Sequence, residues 1–397
     1  MTYDYTIIGA GIVGLATAYS LKKAKGKSKI LVLEKETDVS MHQTGNNSGV
    51  IHSGVYYKPG SKKAINCAKG YKLLLNFLKE HKVPHEICGK IIVATNNKEI
   101  DYLNIIYQRG IKNGLKGLKI LNQNQIKEYE PNVEGLRALH VPQAGITNYK
   151  SVSKKIYDLL KDEGVDFKFN QKITAIDNTK SSINVFSQNK KFHTKNLVNT
   201  AGLYSDKLLK LTGHKPKFKI IPFRGEYYNL KPKAFHLVNN LIYPVPDPDL
   251  PFLGVHFTRM INGGVESGPN AVFAYKREGY KKTDFDFFEF FNSIFYKGFI
   301  IFGLKNLKIG LYEIYRSFSK KAYLKSLQKL IPMIKMDDIE VGNSGVRAQA
   351  ISNDGEIIDD FLIINSNGVV NVCNAPSPAA TSCFAIGDEI KDIILKN

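Results

Sequence analysis

The sequence predicts a mixed α/β fold (α/β with α+β character) of two interleaved domains, one with parallel strands joined by helices and one built on an antiparallel sheet. Three observations support this prediction. The chain opens with a strand–turn–helix–strand pattern, segments of alternating apolar and polar residues lie further along, and no linker rich in proline or serine separates them. A chain of 397 residues has the length of about two ordinary domains.

The first element is a βαβ unit. Residues 3–8 form a predicted buried strand, residues 12–23 have apolar side chains at helical spacing, and residues 30–34 form a second strand. The turn Gly9-Ala10-Gly11-Ile12-Val13-Gly14 joins strand and helix, with glycines where the chain must turn, approach a pyrophosphate and pack helix on strand. This pattern is typical of a Rossmann-like domain that binds a dinucleotide.

Glu34 ends the second strand about 20 residues after the turn, where a carboxylate accepts hydrogen bonds from an adenosine ribose. The same negative charge disfavours the 2′-phosphate of NADP, because like charges repel. At this point the choice between FAD and NAD stays open.

The middle of the chain alternates between the two kinds of domain. Residues 151–162 have helical periodicity, and residues 196–200 form a short apolar strand that runs into Ala201 and Gly202. Residues 218–229 and 241–256 alternate apolar with polar side chains, as antiparallel strands do. We therefore expect the second sheet to face the substrate.

The net charge indicates which classes of partner to expect, and the cysteine content indicates the cellular compartment. The 56 Lys and Arg residues against 36 Asp and Glu give a net charge of +20, which favours an anionic partner such as a membrane surface, an acidic substrate or a nucleic acid. The lysines are scattered and no RNA-binding signature is present, so we expect no nucleic acid. The 4 cysteines form no CxxC pair and no disulfide framework, which predicts a reducing cytoplasm.

Other sequence signals are missing. The first predicted strand begins at Tyr3, which leaves no room for a signal peptide before it. HExxH, paired CxxC and EF-hand spacings do not occur, so we expect no metal.

The segment from Phe285 to Leu304 is rich in Phe and Ile, but Asp286, Glu289 and Lys297 interrupt it, and a spanning helix needs about 20 predominantly apolar residues. Two alternatives remain open. The segment packs on its own protein, or with the basic residues that follow it lies on an anionic membrane surface. The second alternative predicts a peripheral location on the inner face of a membrane.

A polar glycine-rich run, from His42 to Gly54, follows the βαβ unit. With the glycine turn, this run resembles the D-amino-acid-oxidase-like family of FAD enzymes, and within it the L-2-hydroxyglutarate oxidase or dehydrogenase group. The resemblance extends along nearly the whole chain, through residues 200–206, 222–228, 243–246, 254–259, 264–271, 344–348 and 374–381.

The resemblance implies FAD as cofactor and a division into an FAD-binding domain (residues 1–80, 145–215 and 340–397) and a substrate-binding domain (residues 81–144 and 216–339). It also implies a set of cofactor contacts. Beyond Gly9, Gly11, Ile12, Val13, Gly14 and Glu34, these are Lys35, His42, Thr44, Gly45, Asn46, Asn47, Ser48, Gly49, Ile173, Ala201, Gly202, Pro376, Ser377, Pro378, Ala379, Ala380 and Thr381.

Oxidation of a 2-hydroxy acid requires a base for the hydroxyl proton and an acceptor for the hydride, which flavin N5 supplies. His52, in the polar run, and His256, on a predicted substrate strand, are the two candidate bases, with His52 preferred. A dicarboxylate needs anion clamps, for which the planar fork of arginine is suited. The candidates are Arg224, Arg259 and Arg347, with Tyr243 as a hydroxyl donor.

The predicted function is FAD-dependent oxidation of L-2-hydroxyglutarate to 2-oxoglutarate, with electrons passed to oxygen or a membrane quinone. Two alternatives are kept. One is a related FAD oxidase of an amino acid or glycerol 3-phosphate, and the other is a flavin-binding protein without turnover.

Overall fold

The computed structural model describes residues 1–178, 182–188, 190–247 and 253–396, and elements are numbered here in chain order. An eight-stranded sheet forms the first part of the molecule. Its strands are β1 (Thr2–Ile8), β2 (Ile30–Leu33), β9 (Asp166–Lys168), β10 (Ile173–Asn178), β11 (Ile183–Ser187), β12 (Lys190–Asn199), β19 (Leu362–Ser366) and β20 (Val369–Asn374).

The centre of this sheet is parallel, in the order β9–β2–β1–β12–β20, and β10, β11 and β19 extend it with antiparallel pairs. Helices cover both faces, which is why all four residues of β2 are buried. On one face α1 packs against α11 and α5, and α11 packs against α2; α6 lies on the other face. These helices are α1 (Ile12–Ala24), α2 (Lys62–Glu80), α5 (Tyr149–Asp162), α6 (Ser205–Leu211) and α11 (Cys383–Leu395).

A nine-stranded sheet forms the second part, with antiparallel pairing except between β5 and β14. Its strands are β5 (Lys90–Ala94), β6 (Lys119–Leu121), β7 (Arg137–Val141), β13 (Phe218–Leu230), β14 (Leu241–Pro244), β15 (His256–Arg259), β16 (Val265–Gly268), β17 (Val272–Phe273) and β18 (Ile339–Ser352). A small third sheet joins β3 (Val50–Ile51), β8 (Gly145–Thr147) and β4 (His85–Glu86).

The remaining helices pack on or beside the second sheet. They are α3 (Asn97–Lys112), α4 (Gln123–Tyr129), α7 (Phe287–Ile294), α8 (Lys297–Lys305), α9 (Leu307–Phe318) and α10 (Lys320–Leu327). Among the described residues no single helix is long and apolar enough to cross a membrane. Only α7 and α8 together, bent by 67°, reach that length and composition.

The structure confirms the predicted fold class and corrects two details. The predicted strand at 241–256 is β14 and the start of β15, and residues 248–252 lie outside the described part of the chain. The predicted division assigned residues from 340 onward to the FAD-binding domain, but β18 pairs with β13 along most of its length and so belongs to the second sheet. The rest of the domain division stays a prediction.

Candidate active site

A cavity of about 1250 Å³ is lined by residues of both large sheets. Sites for ordinary small ligands enclose about 300–1,000 Å³. The cavity therefore has room for a ligand larger than a single metabolite, or for a cofactor together with a substrate.

The glycine turn forms one end of this cavity, with Gly9, Gly11, Ile12 and Val13 in its wall. Gly9 has a φ of +105°, a backbone conformation that favours glycine. A Cβ on Gly14 would lie 2.0 Å from the Gly9 carbonyl oxygen, so Gly14 serves the packing of α1 on β1 and not the wall. Since Gly11, the N-cap of α1, offers no side-chain acceptor, the start of this helix is suited to an anion.

Glu34 lies at the carboxyl end of β2 and also in the cavity wall. One carboxylate oxygen accepts a hydrogen bond from the Ala10 amide at 2.7 Å and the other accepts one from the Glu36 amide at 3.0 Å. Glu34 thus ties the glycine turn to the second strand, and each oxygen keeps a lone pair for a ribose hydroxyl. The ribose contact itself remains a prediction.

The polar run from His42 to Gly49 folds back on itself through its asparagines. Asn46 donates to the carbonyl of His42, and Asn47 donates to the carbonyl of Thr44 and accepts from the amide of Gly49. The Thr44 hydroxyl accepts from the Ile12 amide at 3.0 Å, which fixes the run against the start of α1. Thr44, Asn46, Asn47 and Ser48 line the cavity.

Two glycines of this run have a packing role. A Cβ on Gly45 would lie 2.3 Å from the Ser40 carbonyl oxygen, and one on Gly49 would lie 2.4 Å from that of Thr147. Neither glycine is part of the wall, so the structure does not support their predicted cofactor contacts. Backbone crowding requires glycine there.

His42 and Lys35 belong to a polar cluster at the wall. The Lys35 ammonium lies 2.6 Å from Glu278 and also contacts Glu36, and the His42 Nε2 lies within 3.0 Å of both carboxylates. The groups of Glu36, His42 and Glu278 have metal-ligand spacing, but the lysine already supplies a positive charge between the acids. The cluster connects the segment after β2 with the segment before α7.

The remaining predicted cofactor residues fall into two groups. Ile173, Ala201, Gly202 and the loop from Pro376 to Ala380 line the cavity. Thr381 does not. Its hydroxyl accepts from the His52 amide at 3.0 Å and pairs with the Tyr149 hydroxyl at 2.8 Å, so it positions the His52 backbone instead.

His256 is buried in the wall of the cavity, with its ring stacked on Tyr243 at a centroid distance of 4.0 Å. Its Nδ1 lies 2.9 Å from the Gly254 carbonyl oxygen. A carbonyl only accepts, so Nδ1 carries the proton and Nε2 keeps its lone pair. Burial lowers the pKa of His256 to about 3, and the positive charges of Lys90 and Arg347 act in the same direction.

His52 is the second histidine of the wall. Its Nε2 lies 3.3 Å from the Ser377 hydroxyl, which either donates or accepts, so this contact does not fix the tautomer. Burial lowers the pKa of His52 to about 3, with Lys90 and His256 contributing. Both histidines are therefore neutral at ordinary pH, but only His256 has its lone pair assigned to Nε2 by the backbone.

Of the three candidate arginines, the structure brings only Arg347 to the cavity. Its Nη1 donates to the Asn270 carbonyl at 3.3 Å, and burial lowers its pKa. Successive side chains of a strand point to opposite faces of the sheet. This alternation explains why Arg224 and Arg259 do not line the cavity.

Arg224 pairs across β13 and β18 with Val346, while Arg347 pairs with Phe223. Arg224 therefore lies on the other face, where it is buried against Glu226 at 3.0 Å. Arg259 is three residues from His256 on β15 and so points away from it, towards Glu86 at 2.5 Å. The expectation that these two bind substrate is corrected by this geometry.

Lys90, which the sequence reasoning missed, lies beside this group of residues. It opens β5, is 2% exposed, and places its ammonium 4.5 Å from the ring centroids of both Tyr56 and Tyr243. Burial lowers the pKa of Lys90 to about 7. The available signal was a lysine at the start of the otherwise apolar strand Lys-Ile-Ile-Val-Ala.

A family model described as FAD dependent oxidoreductase (DAO) matches residues 4–393. The chain belongs to this family. It is 47% identical, over 100% of both chains, to an L-2-hydroxyglutarate dehydrogenase of Indibacter alkaliphilus. It is 41% identical to the enzyme of that name from Escherichia coli K12, over 98% of this chain and 92% of the relative, and 41% identical to the mitochondrial one from Homo sapiens, over 98% and 88%.

Solved structures with lower identity share the fold. An L-α-glycerophosphate oxidase from Mycoplasma pneumoniae with FAD bound superposes with a TM-score of 0.81 at 22% identity, over 100% of this chain and 95% of that one. A glycine oxidase from Geobacillus kaustophilus gives 0.75 at 15% identity, over the same shares of both chains.

The protein is an FAD-dependent oxidoreductase, and its residues fit that cofactor. The helix start at Gly11 is suited to the pyrophosphate, the Glu34 carboxylate to the ribose, and the cavity extends from there to His52, His256 and Arg347. Gly9 and Gly14 keep the turn compact, because a Cβ there would strike Thr200 or Gly9, and Gly9 and Gly11 line the cavity.

Proposed function

We propose that this protein oxidises L-2-hydroxyglutarate to 2-oxoglutarate. The observation that carries the proposal is that a neutral histidine with a free Nε2 lone pair and the Arg347 guanidinium share one cavity with the dinucleotide turn. The full-length similarity to relatives named L-2-hydroxyglutarate dehydrogenase supports the choice of substrate.

FAD held in this cavity would supply the two-electron acceptor for the hydride that leaves C2. His256 accepts the hydroxyl proton on Nε2 while the C2–O bond becomes a carbonyl, so that one hydride and one proton leave the substrate. The Gly254 carbonyl stabilises the imidazolium that forms, because it accepts the Nδ1 hydrogen bond in both protonation states. His256 is therefore preferred to His52 as the base.

Arg347 binds the carboxylate beside C2, because its planar fork matches a carboxylate and stays charged. Tyr243 holds the His256 ring in place by stacking. His52, which directly follows β3, borders the same cavity, and its contact with Ser377 ties it to the loop at 376–380. We assign His52 to orientation of the substrate hydroxyl and not to proton removal.

A substrate panel tests the proposal. Protein reconstituted with FAD is assayed with an artificial electron acceptor and L-2-hydroxyglutarate, D-2-hydroxyglutarate, glycine, L-proline or glycerol 3-phosphate. We expect L-2-hydroxyglutarate to have the highest kcat/KM. A higher kcat/KM for an amino acid or glycerol 3-phosphate would favour the alternative of a related FAD oxidase. If none of these compounds is turned over, the alternative of a flavin-binding protein without turnover would be favoured.

We further propose that the electrons pass to a membrane quinone and that the protein docks on the surface of an anionic membrane. Helices α7 to α9 support this, because their apolar side chains are exposed: Phe288 by 80%, Phe295 by 73%, Leu304 by 70% and Phe318 by 73%. An apolar surface of this kind is suited to the interface of a bilayer.

Charge favours the same partner. Exposed lysines lie in or next to these helices, at Lys297, Lys305, Lys308 and Lys321, on a chain with a net charge of +20. Each basic residue near an anionic surface contributes about 1 kcal/mol to binding. If this segment only packed against the rest of the protein, these phenylalanines would be buried, whereas they are exposed.

Vesicle flotation tests the docking. We expect the wild type to float with vesicles that contain phosphatidylserine at low salt and less with zwitterionic ones. Replacement of Phe288, Phe295 and Phe318 by Ser should abolish flotation, whereas Ile65→Ser, at an exposed position of α2, should not. Wild-type protein that stays unbound at low salt would contradict the proposal, and faster reoxidation by oxygen than by a short-chain quinone would contradict the choice of acceptor.

A further inference from the structure

We propose that Lys90 is the second cation of the substrate site and binds the remote carboxylate of a dicarboxylic 2-hydroxy acid. Arg347 and Lys90 then take one carboxylate each, and Lys90 sets the preference for a dicarboxylate over a monocarboxylate. This inference rests on the proposed function and names a residue that determines its specificity.

Position is the first argument. The backbone of Lys90 pairs with Leu241 of β14, two residues before Tyr243, and its ammonium lies between the rings of Tyr56 and Tyr243. Tyr243 in turn stacks on His256. The amine lies one side chain behind the wall, and the flexible four-carbon stem of lysine allows it to advance to a ligand.

The missing counter-charge is the second argument. The Lys90 ammonium forms no hydrogen bond or ion pair with any residue that the structure describes, and the buried hydroxyl of Tyr56 also has no partner there. A buried ammonium without an anion is strongly destabilising. Two aromatic faces offset only part of this cost. The remote carboxylate of the substrate would supply the anion that the fold lacks.

The arrangement of charges is the third argument. Lys90 opens β5, Arg347 lies on β18, and both cations are close enough to His256 for their charges to lower its pKa. A dicarboxylate oriented with its hydroxyl at the His256 Nε2 would therefore have two separate cations near it, one for each carboxylate. A monocarboxylate of the same length would leave Lys90 unpaired.

Enzyme variants test the proposal through two substrates of equal chain length. L-2-hydroxyglutarate and L-2-hydroxypentanoate differ only in the remote carboxylate, and reduction of the bound FAD is followed under anaerobic conditions. We expect Lys90→Met to lower kcat/KM for the dicarboxylate by about 10- to 100-fold, the loss of one charged hydrogen bond, and to leave the monocarboxylate nearly unchanged. Lys219→Met, which removes a half-buried amine bonded to Asn292 outside the cavity, is the matched control.

The pH profile is a readout that a purely structural role would not change. The titratable groups that face the amine are Tyr56, Tyr243, Cys67, His52 and His256. Burial raises the pKa of both tyrosines well above its usual value and raises the pKa of Cys67 to about 12. Burial lowers the pKa of both histidines to about 3. With the pKa of Lys90 about 7, kcat/KM for the dicarboxylate should fall as pH rises through about 7, and Lys90→Met should remove this limb.

An equal loss for both substrates, or no loss for either, would overturn the role of Lys90. Wild-type protein that is reduced by neither substrate would instead contradict the proposed function. In that case the binding of glutarate, measured from the change in the FAD spectrum, tests separately whether Lys90 binds a carboxylate. We expect Lys90→Met to weaken glutarate binding by about 10- to 100-fold, and unchanged binding would contradict the inference.

Discussion

At the scale of single residues, the chemistry depends on which atom of His256 holds the proton. The Gly254 carbonyl, a group without a hydrogen to donate, sets this, and burial keeps the ring neutral. His52 has the same low pKa but faces a hydroxyl, so its geometry assigns no tautomer. A hydrogen bond to the backbone therefore favours His256 as the base, whereas the sequence alone favoured His52.

His256→Asn tests this distinction, because the asparagine amide can still donate to Gly254 but offers no basic nitrogen. We expect the rate of FAD reduction by substrate to fall by about 10²- to 10⁴-fold, with the FAD content unchanged. His52→Asn serves as the comparison and should cost less. If His52→Asn reduces the rate more than His256→Asn does, the assignment of the base is wrong.

Arg347 gives the second residue-scale prediction. Arg347→Lys keeps the charge but removes the planar fork, so KM for L-2-hydroxyglutarate should rise by about 10-fold or more in steady-state assays. Arg259→Lys is the matched control, since that side chain is paired with Glu86 outside the cavity. An equal rise in KM for both variants would contradict the conclusion that Arg347 binds the substrate because its side chain points into the cavity and that of Arg259 does not.

At the scale of elements, two contacts hold the cofactor end of the cavity together. The first is the close approach of α1 at Gly14 to Gly9 in the turn and to Thr200, and the second is the buried ion pair between Asp206 of α6 and Arg277. Arg277 bonds both oxygens of Asp206, at 2.5 and 2.9 Å, while Asp206 also accepts from the amide of Ile220. This pair connects the first sheet's helix to the segment before α7.

Gly14→Ala is expected to give protein with little or no bound FAD. The new Cβ would lie 2.0 Å from the Gly9 oxygen and 2.7 Å from the Thr200 hydroxyl, so α1 must move away from the turn. The absorbance ratio of flavin to protein measures the effect. Gly310→Ala in α9, where no atom lies within 4 Å of the new Cβ, should retain FAD; retention by both variants would contradict the role given to Gly14.

Asp206→Asn is expected to destabilise the protein by about 3–5 kcal/mol, because it leaves the buried Arg277 charge without its partner. Thermal unfolding of the FAD-bound protein measures the change. Asp158→Asn is the control, since Asp158 pairs with Lys154 on the exposed surface of α5 and should cost less than about 1 kcal/mol. Similar losses for the two variants would contradict a structural role for the buried pair.

Helix α9 also links the exposed surface to the site. Glu313 accepts from the Ala271 amide, and Ser317 donates to Glu226, which also receives the side-chain amide of Asn270. The Asn270 carbonyl accepts from Arg347. Helix α9, which we propose faces a membrane, is thus connected to Arg347 through one hydrogen-bond network.

At the scale of the whole molecule, the glycine turn and the alternating strands were enough to predict the fold class. They indicated an α/β part and a second, interleaved part built on an antiparallel sheet. The period-two alternation within β13 and β15 also determines which arginines face the cavity. Arg259 follows His256 by three positions, an odd spacing that on a strand places the two on opposite faces.

Other features had no local signal. The pairing of β18 with β13 joins residues more than a hundred positions apart, and so does the contact of Lys90 with Tyr243. Nothing in the residues around Lys90 indicates which aromatic rings will enclose its ammonium. Only the folded arrangement shows that a basic residue of β5 belongs with the histidines.

The most direct test of the central claim is the absorbance spectrum of the FAD-bound protein under anaerobic conditions. Addition of one equivalent of L-2-hydroxyglutarate should bleach the oxidised flavin band and yield one equivalent of 2-oxoglutarate, while D-2-hydroxyglutarate should leave the band unchanged. A flavin band that persists with excess L-2-hydroxyglutarate, in protein that dithionite does reduce, would contradict the account.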